Sequence, residues 1–411
     1  MNRVPRQAAG RSAASLAEPM PIAAGQPRTK LRLIADDLTG ALDTAVEFVA
    51  ALGPVRVCWG RVPAEAGDAL AFDIATREGS EAEAFETIGR VAAATGLSAS
   101  DCAYVKLDSL LRGHAGAEIA ACWAGGGFEA AVIAPAFPYQ GRITVDGRQR
   151  LVTPGTPDAI GEDLAATLRA YGLPVRKRRA GTSVWAGIAL WNAASDADLD
   201  AIVDAALLAE GRGRRILWCG SGGLAGAIAR RRFGVAAPEA FMPEGPILGL
   251  FGTDHPVTQD QLVQAGDATI RLADSSAASA DHVSGQLDQR GAALVTVDLP
   301  PLSRRAAARR IASDLGALAN RLDPPATLVC SGGETLRRLC DSLGATSLDV
   351  IGRIVPGVAV ARFRGGRWDG VPVISKSGAF GDPDFLKRLV APSLASAPGR
   401  PRPRATRTRQ Q

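Results

Sequence analysis

The stretch LRLIADDLTGALDTAVEF, residues 31–48, decides the fold. Its apolar start predicts a strand that leads directly into two carboxylates, Asp36 and Asp37, and then into a helix of small residues. At the carboxyl end of a strand in an open parallel α/β sheet, such side chains are placed to bind a ligand. One acid is enough to cap a helix, so two interpretations stay open: a simple N-cap, or a site for a polar, hydroxyl-rich substrate.

Outward from this segment, apolar strand-like runs alternate with amphipathic helical runs, which predicts parallel sheets covered by helices. We predict an α/β fold of two α/β domains with mostly parallel sheets, residues 30–235 and 247–392, with the active site in the interdomain cleft. Residues 236–246 are rich in proline and are predicted to be the linker. Residues 140–152 predict a hairpin or flap. The expected strands are 31–36, 55–60, 71–76, 102–108, 130–136, 187–193, 215–219, 247–251, 293–298, 326–330 and 371–375.

The formal net charge of +5 belongs to the two ends of the chain. Residues 1–29 carry +3 and residues 393–411 carry +5, which leaves the body at −3, and we expect both tails to be disordered. With 5% aromatic residues and an acidic body, no nucleic-acid partner is expected. Six cysteines without paired spacing predict reduced thiols in a cytoplasmic protein, and the lack of a long apolar run predicts no membrane contact.

A second group of charged residues ends the strand predicted at 102–108. The run KLDSLLRGHAGAEI, residues 106–119, supplies two cations, a carboxylate and a hydroxyl: Lys106, Arg112, Asp108 and Ser109. An arginine can hold a carboxylate through two hydrogen bonds, whereas a lysine acts as a point charge. Such a loop suits a ligand with carboxylate and hydroxyl groups, and a local salt bridge is the plainer alternative.

Two other predicted strands also end in polar or turn-forming groups. These ends are Thr76-Arg77 and the run PAFPYQGR, residues 135–142. Four strand ends that all carry such groups favour one shared binding site over four unrelated turns or salt bridges.

The second half of the chain offers glycine-rich turns instead. They are Gly252-Thr253, SGGET at 331–335, Pro356-Gly357 and KSGAFG at 376–381. A strand followed by glycines and a helix start lets backbone N–H groups approach phosphate oxygens. Each turn alone is a weak signal, but together they suggest a nucleotide cradle of a type without a Walker motif.

Taken together, these segments resemble the four-carbon acid sugar kinases, which phosphorylate threonate, erythronate or 3-oxo-tetronate. The resemblance runs in order over roughly residues 31 to 390. The matching segments are IADDLTGALD (34–43), TR (76–77), KLDSLLRGHAGAEI (106–119), PAFPYQGRITVDG (135–147), GSGGLA (220–225), GTDHPVTQDQ (252–261), CSGGETLRRL (330–339) and PVISKSGAFGDPDFL (372–386).

The resemblance implies a sugar-acid-binding first domain and a nucleotide-binding second domain. The residues implied to face the sugar acid are Asp36, Asp37, Arg77, Lys106, Asp108 and Arg112, with Thr39, Ser109, Gly141 and Arg142 beside them. The residues implied to line ATP are Thr253, His255, Gly332, Gly333, Glu334, Thr335, Gly357 and Gly378, and the lysine of the last glycine turn, Lys376, is expected to join them.

The expected reaction is phosphoryl transfer from ATP, with Mg²⁺ held mostly by phosphates and waters rather than by a protein metal site. Asp36 or Asp37 is expected to accept the hydroxyl proton, and Arg112 or Lys106 to hold the substrate carboxylate. We expect Asp36, Asp37 and Arg112 to carry the catalysis. Two alternatives stay open: a kinase for a related branched oxo-sugar acid, and a catalytically inactive sugar-acid sensor. The exact acid and the oligomeric state, a homo-oligomer included, are also left open.

Overall fold

The computed structural model describes residues 29–64, 67–152, 158–184, 186–235, 240–298 and 304–396. Nearly all of both predicted tails, and residues 236–239 of the predicted linker, lie outside these ranges. The described part of the linker packs against the second half of the chain. There the backbone N–H of Phe241 donates a 3.0 Å hydrogen bond to the carbonyl oxygen of Arg353. The domain boundaries stay a prediction.

The described residues form eighteen strands. They are β1 (Leu31–Ala35), β2 (Val55–Trp59), β3 (Ala69–Asp73), β4 (Cys102–Lys106), β5 (Ala130–Ala134), β6 (Arg142–Val145), β7 (Arg148–Leu151), β8 (Asp158–Ala159), β9 (Val175–Arg179), β10 (Gly187–Asn192), β11 (Ile216–Gly220), β12 (Ile247–Phe251), β13 (Thr269–Leu272), β14 (Ala292–Val297), β15 (Thr327–Ser331), β16 (Ser347–Val355), β17 (Val358–Arg364) and β18 (Pro372–Lys376).

Twelve α-helices connect these strands in the described ranges. They are α1 (Leu38–Ala45), α2 (Val49–Leu52), α3 (Glu81–Thr95), α4 (Ala115–Ala124), α5 (Leu164–Ala170), α6 (Asp196–Glu210), α7 (Gly222–Phe233), α8 (Pro256–Gln264), α9 (Ala277–Arg290), α10 (Arg304–Ala319), α11 (Gly333–Leu343) and α12 (Phe385–Ser396).

Fifteen of the strands form one sheet in the order β13-β14-β12-β15-β18-β17-β16-β2-β3-β1-β4-β11-β5-β10-β9. Among the described strands of this sheet, the antiparallel pairs are β2–β16, β16–β17 and β17–β18. The prediction of an α/β fold with mostly parallel strands is therefore confirmed. A separate sheet for each half, which the two-domain prediction implied, is wrong, because β2 and β16 join the strands of both halves.

The join is a hairpin of β16 and β17 that the sequence analysis missed. Pro356-Gly357, interpreted above as a phosphate-binding turn, is the turn of this hairpin, so a strand and not a helix follows it. Gly357 has φ +83, which glycine adopts without strain, and the ring of Phe380 occupies the space where a Cβ would lie. Gly357 thus packs against Phe380, which lies within the predicted nucleotide loop at 376–381.

The hairpin also reverses the direction of the sheet, so the parallel strands of the first half run opposite to those of the second half. β16 has register shifts between Val350 and Gly352 and between Arg353 and Val355. Bulges of this kind bend a strand and increase its twist. The bend lets the carboxyl ends of β1 and β15 approach each other although six strand-to-strand steps separate them.

Three other strands, β8, β9 and β13, also escaped the sequence analysis. β9 lies at one end of the sheet and reads VRKRR, a run of charged residues without apolar alternation. Charged side chains are typical of edge strands, which must not pair with another chain. The hairpin of β6 and β7 confirms the flap predicted at 140–152.

The core lies on both faces of the central strands. All five residues of β1 are buried, and so are all eight residues of α1. A parallel strand covered on both faces is expected to be apolar throughout, as this one nearly is. The exception is Arg32. Its guanidinium donates hydrogen bonds to the backbone carbonyl oxygens of Thr95, Asp68 and Gly67, so the buried charge is satisfied by protein acceptors instead of water.

Leu348→Ala should weaken both halves together. Leu348 is fully buried in β16 and pairs with Val57 of β2, so its truncation should lower the free energy of unfolding by about 2–5 kcal/mol. Because one sheet crosses both halves, circular dichroism and tryptophan fluorescence should report one coincident urea transition. Leu208→Ala, at a side chain that is 67% exposed, is the control and should change stability little. Two separate transitions would contradict the continuous sheet.

Candidate active site

Asp36 and Asp37 lie at the junction of β1 and α1. Asp37 is the N-cap of α1, where its Oδ1 accepts a 2.8 Å hydrogen bond from the backbone N–H of Gly40. Its Oδ2 accepts a 2.6 Å hydrogen bond from Nη1 of Arg77. Asp37 therefore caps the helix and also belongs to a charged cluster, so the two interpretations left open by the sequence are compatible.

Arg77 links the carboxylates of the first half. Its Nε and Nη2 each donate at 2.7 Å to an oxygen of Asp36, and Nη2 lies 3.6 Å from Oδ1 of Asp108. Burial alone would lower the pKa of Arg77, but the charges of Asp37 and Asp36 hold this pKa well above its usual value. The cluster is therefore organised around a permanent cation.

Asp108 is the next carboxylate in this cluster. Nε and Nη2 of Arg112 bind its two oxygens at 2.8 Å each, so the local salt bridge considered from the sequence is present. Burial would raise the pKa of Asp108, but the hydrogen bonds from Arg112 and the charge of Arg77 hold it well below its usual range. The Arg112 side chain is 57% exposed, so a ligand can still reach its guanidinium.

Lys106, the last residue of β4, is the buried cation of the site and is 4% exposed. The Nζ of Lys106 would lie 3.1 Å from an ideal Cβ on Gly40, so the ammonium lies beside the first turn of α1. Within the described ranges, this ammonium makes no side-chain hydrogen bond and no ion pair within 4 Å. Burying an unpaired charge is costly, which suits a site that receives an anion.

Arg142, the first residue of β6, connects the flap to both halves. Its guanidinium donates through Nη1 to Oγ of Ser109, and its Nε is buried without a partner among the described residues. The guanidinium carbon lies 5.5 Å from the ring centre of Phe380, in the loop after β18. This cation–π contact joins the flap to the second half. Gly141 has φ +65 and forms the turn that precedes β6.

In the second half, α11 begins at Gly333 without a side-chain cap. The first N–H groups of a helix have no partner within it, so they can bind an anion. An ideal Cβ on Gly252 would lie 2.1 Å from Oγ1 of Thr335, so the loops after β12 and β15 pack closely only with glycine there. Glu334 forms an ion pair with Arg338 at 3.2 Å on the exposed face of α11.

Lys376 supports the loop after β18 from inside. It is 0% exposed, and its Nζ donates to Oγ1 of Thr258 at 2.8 Å and to the carbonyl of Ser377 at 3.0 Å. Burial lowers the pKa of Lys376 to about 7. The ammonium therefore holds protein oxygens and does not extend into an open cradle.

Gly378, Thr253 and His255 lie together, as the nucleotide prediction requires. An ideal Cβ on Gly378 would lie 2.6 Å from Oγ1 of Thr253 and 3.0 Å from the Cβ of His255. His255 is the N-cap of α8, and its Nδ1 accepts a 3.3 Å hydrogen bond from the backbone N–H of Val257. The two loops thus pack against each other at the start of α8.

The start of α11 faces the start of α1 across the two halves. An ideal Cβ on Gly333 would lie 2.9 Å from Oγ1 of Thr39 and 3.1 Å from Oδ2 of Asp37. The hydroxyl of Thr39 is buried without a partner among the described residues. The glycine at this position therefore brings the backbone of α11 to the carboxylate and hydroxyl of α1.

Asp43 is a buried carboxylate that the sequence analysis did not single out. It lies on α1, six residues after the N-cap Asp37, and is 7% exposed. Its Oδ1 has no partner in the described part of the chain. Burial raises its pKa to about 6, against the charges of Lys106 and Arg142. A charged residue in a helix otherwise made of apolar, glycine and threonine residues was the signal that could have found it.

The described residues lack both a metal site and a membrane-spanning helix. No group of three or more His, Cys, Asp or Glu side chains within them is arranged to hold a metal ion. No helix within the same ranges is long and apolar enough to cross a membrane.

Comparison with known proteins identifies both halves. Residues 31–162 match the sugar-binding N-terminal domain family, and residues 248–386 match the nucleotide-binding C-terminal domain family. A D-threonate kinase of Bordetella bronchiseptica is 30% identical over 400 residues, which cover 87% of this chain and 95% of that protein. The chain belongs to the four-carbon acid sugar kinase family. The resemblance identified from the motifs is thereby confirmed.

Other relatives in this kinase family support the same assignment. A D-threonate kinase of Cupriavidus necator is 30% identical, with 85% of this chain and 94% of that protein covered. A D-erythronate kinase of Heliobacterium modesticaldum is 26% identical, with 86% and 94% covered. A crystal structure from Salmonella typhimurium LT2 is 22% identical, covers 88% of this chain and 99% of its own, and superposes with a TM-score of 0.68, which supports the fold alone.

The buried Lys376 should make the stability of this sugar acid kinase family member depend on pH. Its pKa is about 7 in the fold and 10.5 in the unfolded chain, so between these values the unfolded chain binds more protons. Relative to Lys376→Met, the wild type should gain stability as pH rises from 7 to 9, by up to about 1.4 kcal/mol per pH unit. Urea denaturation at several pH values measures this difference.

The control for this measurement is Lys387→Met, at a side chain that is 61% exposed. Its stability should follow the same pH dependence as the wild type. Identical pH profiles for Lys376→Met and the wild type would show that Lys376 keeps an ordinary pKa in the fold.

Proposed function

We propose that the chain is an ATP- and Mg²⁺-dependent kinase for the terminal hydroxyl of a four-carbon sugar acid of the threonate or erythronate type. The observation that carries this proposal is the approach of Gly333, at the uncapped start of α11, to Asp37 and Thr39 at the start of α1. Phosphoryl transfer depends on positioning a nucleotide phosphate against an acceptor hydroxyl. Two facing helix starts, one with anion-binding N–H groups and one with a carboxylate, suit that task.

The second half has the features that a nucleotide phosphate needs. The uncapped first turn of α11 offers backbone donors, and the hydroxyl of Ser331, just before Gly332, is buried without a partner within the described ranges. When bound, ATP with Mg²⁺ supplies the phosphoryl group and neutralises its charge. Because no protein cluster suited to a metal lies in the described residues, we propose that phosphates and waters hold most of the Mg²⁺ shell.

The first half has the cations that a sugar acid needs. Among the described residues, Lys106 is buried beside α1 without an ion-pair partner and Arg142 keeps a buried Nε without a hydrogen-bond partner. Arg112 is half exposed. We propose that these three side chains surround the carboxylate and neighbouring hydroxyls of the substrate. The carboxylates of Asp36 and Asp108 are already engaged by arginines and hold those arginines in place.

Between the two candidate bases, we propose Asp37. Both oxygens of Asp36 are bound by Arg77, and its side chain is 3% exposed. Arg77 also binds Oδ2 of Asp37, but it leaves Oδ1 to the N-cap hydrogen bond, and the Asp37 side chain is 22% exposed. The same Oδ2 lies at the start of α11, near Gly333. Oδ2 of Asp37 can therefore orient the acceptor hydroxyl and take its proton.

Asp37→Asn should abolish most of the turnover while leaving the fold intact. An asparagine caps a helix as well as an aspartate does, so α1 should persist, but the amide cannot accept the proton. We expect kcat to fall by about 10²–10⁴-fold, measured as ADP release with Mg²⁺ and a panel of C4 to C6 aldonic and 3-oxo acids. Activity within about twofold of the wild type would contradict the role of Asp37.

The matched control is Asp163→Asn, which changes the N-cap of α5 in the same way and should leave turnover unchanged. The wild type should consume ATP with at least one four-carbon acid of the panel. Nucleotide binding without turnover on any of them would contradict the kinase proposal and favour a sugar-acid sensor.

A further inference from the structure

A cavity of about 460 Å³ lies beside the candidate active site and shares no residue with it. Its walls come from the ends of β2 and β3, from one face of α3, and from α11 of the second half. Its volume lies within the range of pockets that bind small organic molecules. None of the residues proposed above to hold the substrate or the nucleotide lines it.

The charges of this cavity are mostly positive. Arg61 and Arg90 are exposed at its edge, and neither has a side-chain partner within the described ranges. Arg337 of α11 donates to Oδ2 of Asp73 at 3.1 Å and lies 5.3 Å from the ring centre of Trp59. Three arginines and one aspartate thus line the cavity, and Arg337 already forms an ion pair with that aspartate.

The remaining wall is apolar. Phe72 and Val91 are at least 93% buried, and Val62 completes the apolar surface. The pocket therefore combines a small hydrocarbon surface with two guanidinium groups that have no side-chain partner in the described ranges. Such a pair can hold two anionic groups or one phosphate dianion.

We propose that this cavity is a second ligand site, for a small organic acid that carries two anionic groups on a short carbon body. Arg61 and Arg90 bind the anionic groups, and Val62 and Val91 contact the carbon body. Arg337 forms the inner wall of the site. This assignment does not depend on the proposed kinase activity.

The position of the site connects it to both halves of the chain. Asp73 ends β3, and the chain reaches Arg77 four residues later, where it binds Asp36 and Asp37. Arg337 lies one turn after Gly333 on α11. An anion in the cavity therefore contacts a segment that leads to each of the two facing helix starts.

Isothermal titration calorimetry of the full chain, without ATP, tests the proposal. The probes are inorganic phosphate, malate and 3-phosphoglycerate. We expect saturable binding of 3-phosphoglycerate, weakened roughly tenfold or more in Arg61→Gln/Arg90→Gln. Both arginines are exposed and lack side-chain partners in the described structure, so the double variant should keep its thermal midpoint and its circular dichroism spectrum.

The matched control is Arg176→Gln/Arg179→Gln, which removes two exposed arginines from the distant edge strand β9. It should bind 3-phosphoglycerate as the wild type does. Equal affinity in Arg61→Gln/Arg90→Gln and the wild type would overturn the proposal, and so would an equal loss in both double variants. The lack of saturable binding of all three probes up to about 10 mM would also overturn it. Because no turnover is measured, each of these results is independent of the kinase proposal.

Discussion

The ion pairs of Arg77 are the interaction on which the candidate active site depends. Asp36 and Asp37 are consecutive carboxylates, and their like charges would repel strongly at low dielectric. One guanidinium binds both of them within 2.7 Å and lies near Asp108 as well. Removing one partner of such a buried network would leave uncompensated charges, which costs more than the pairs contribute. Arg77 thus permits an acidic site to exist at the end of a fully buried strand.

The second constraint is the pairing of β2 with β16, which makes one sheet out of two sets of parallel strands. A conventional crevice between independent domains would leave the two halves free to move as separate bodies. Here a sheet, the Glu47–Arg353 ion pair at 2.7 Å, and the Arg142–Phe380 contact all cross from one half to the other. The facing starts of α1 and α11 are held at that junction, so the same sheet positions the two helix starts proposed to serve substrate and nucleotide.

Much of this organisation was predictable because it is local. The strands that carry Asp36 and Asp108 were predicted to within two residues at each end, and the flap at 140–152 was found from its glycines and alternation. The hairpin at Pro356-Gly357 was not predicted. Over so few residues, a strand followed by a Pro-Gly turn looks the same whether a second strand or a phosphate-binding loop comes next. Lys376 was predicted to contact nucleotide, yet it is fully buried, and sequence alone does not distinguish a lysine that faces a ligand from one that holds a loop.

The order of residues determined which side chains end each strand and which helices begin with acids or glycines, because strand and helix periodicity act over short distances along the chain. The motifs it carries also determined the family. The tertiary structure alone decided that Gly333 would meet Asp37, that Asp43 would be buried beside Lys106, and that Arg337 would reach Asp73. The first and third encounters follow from strand pairing between β2 and β16, where residues 293 positions apart make contact. The second follows from the parallel pairing of β1 with β4. No local pattern encodes such a pairing, since its energy comes from burying apolar faces that belong to distant segments.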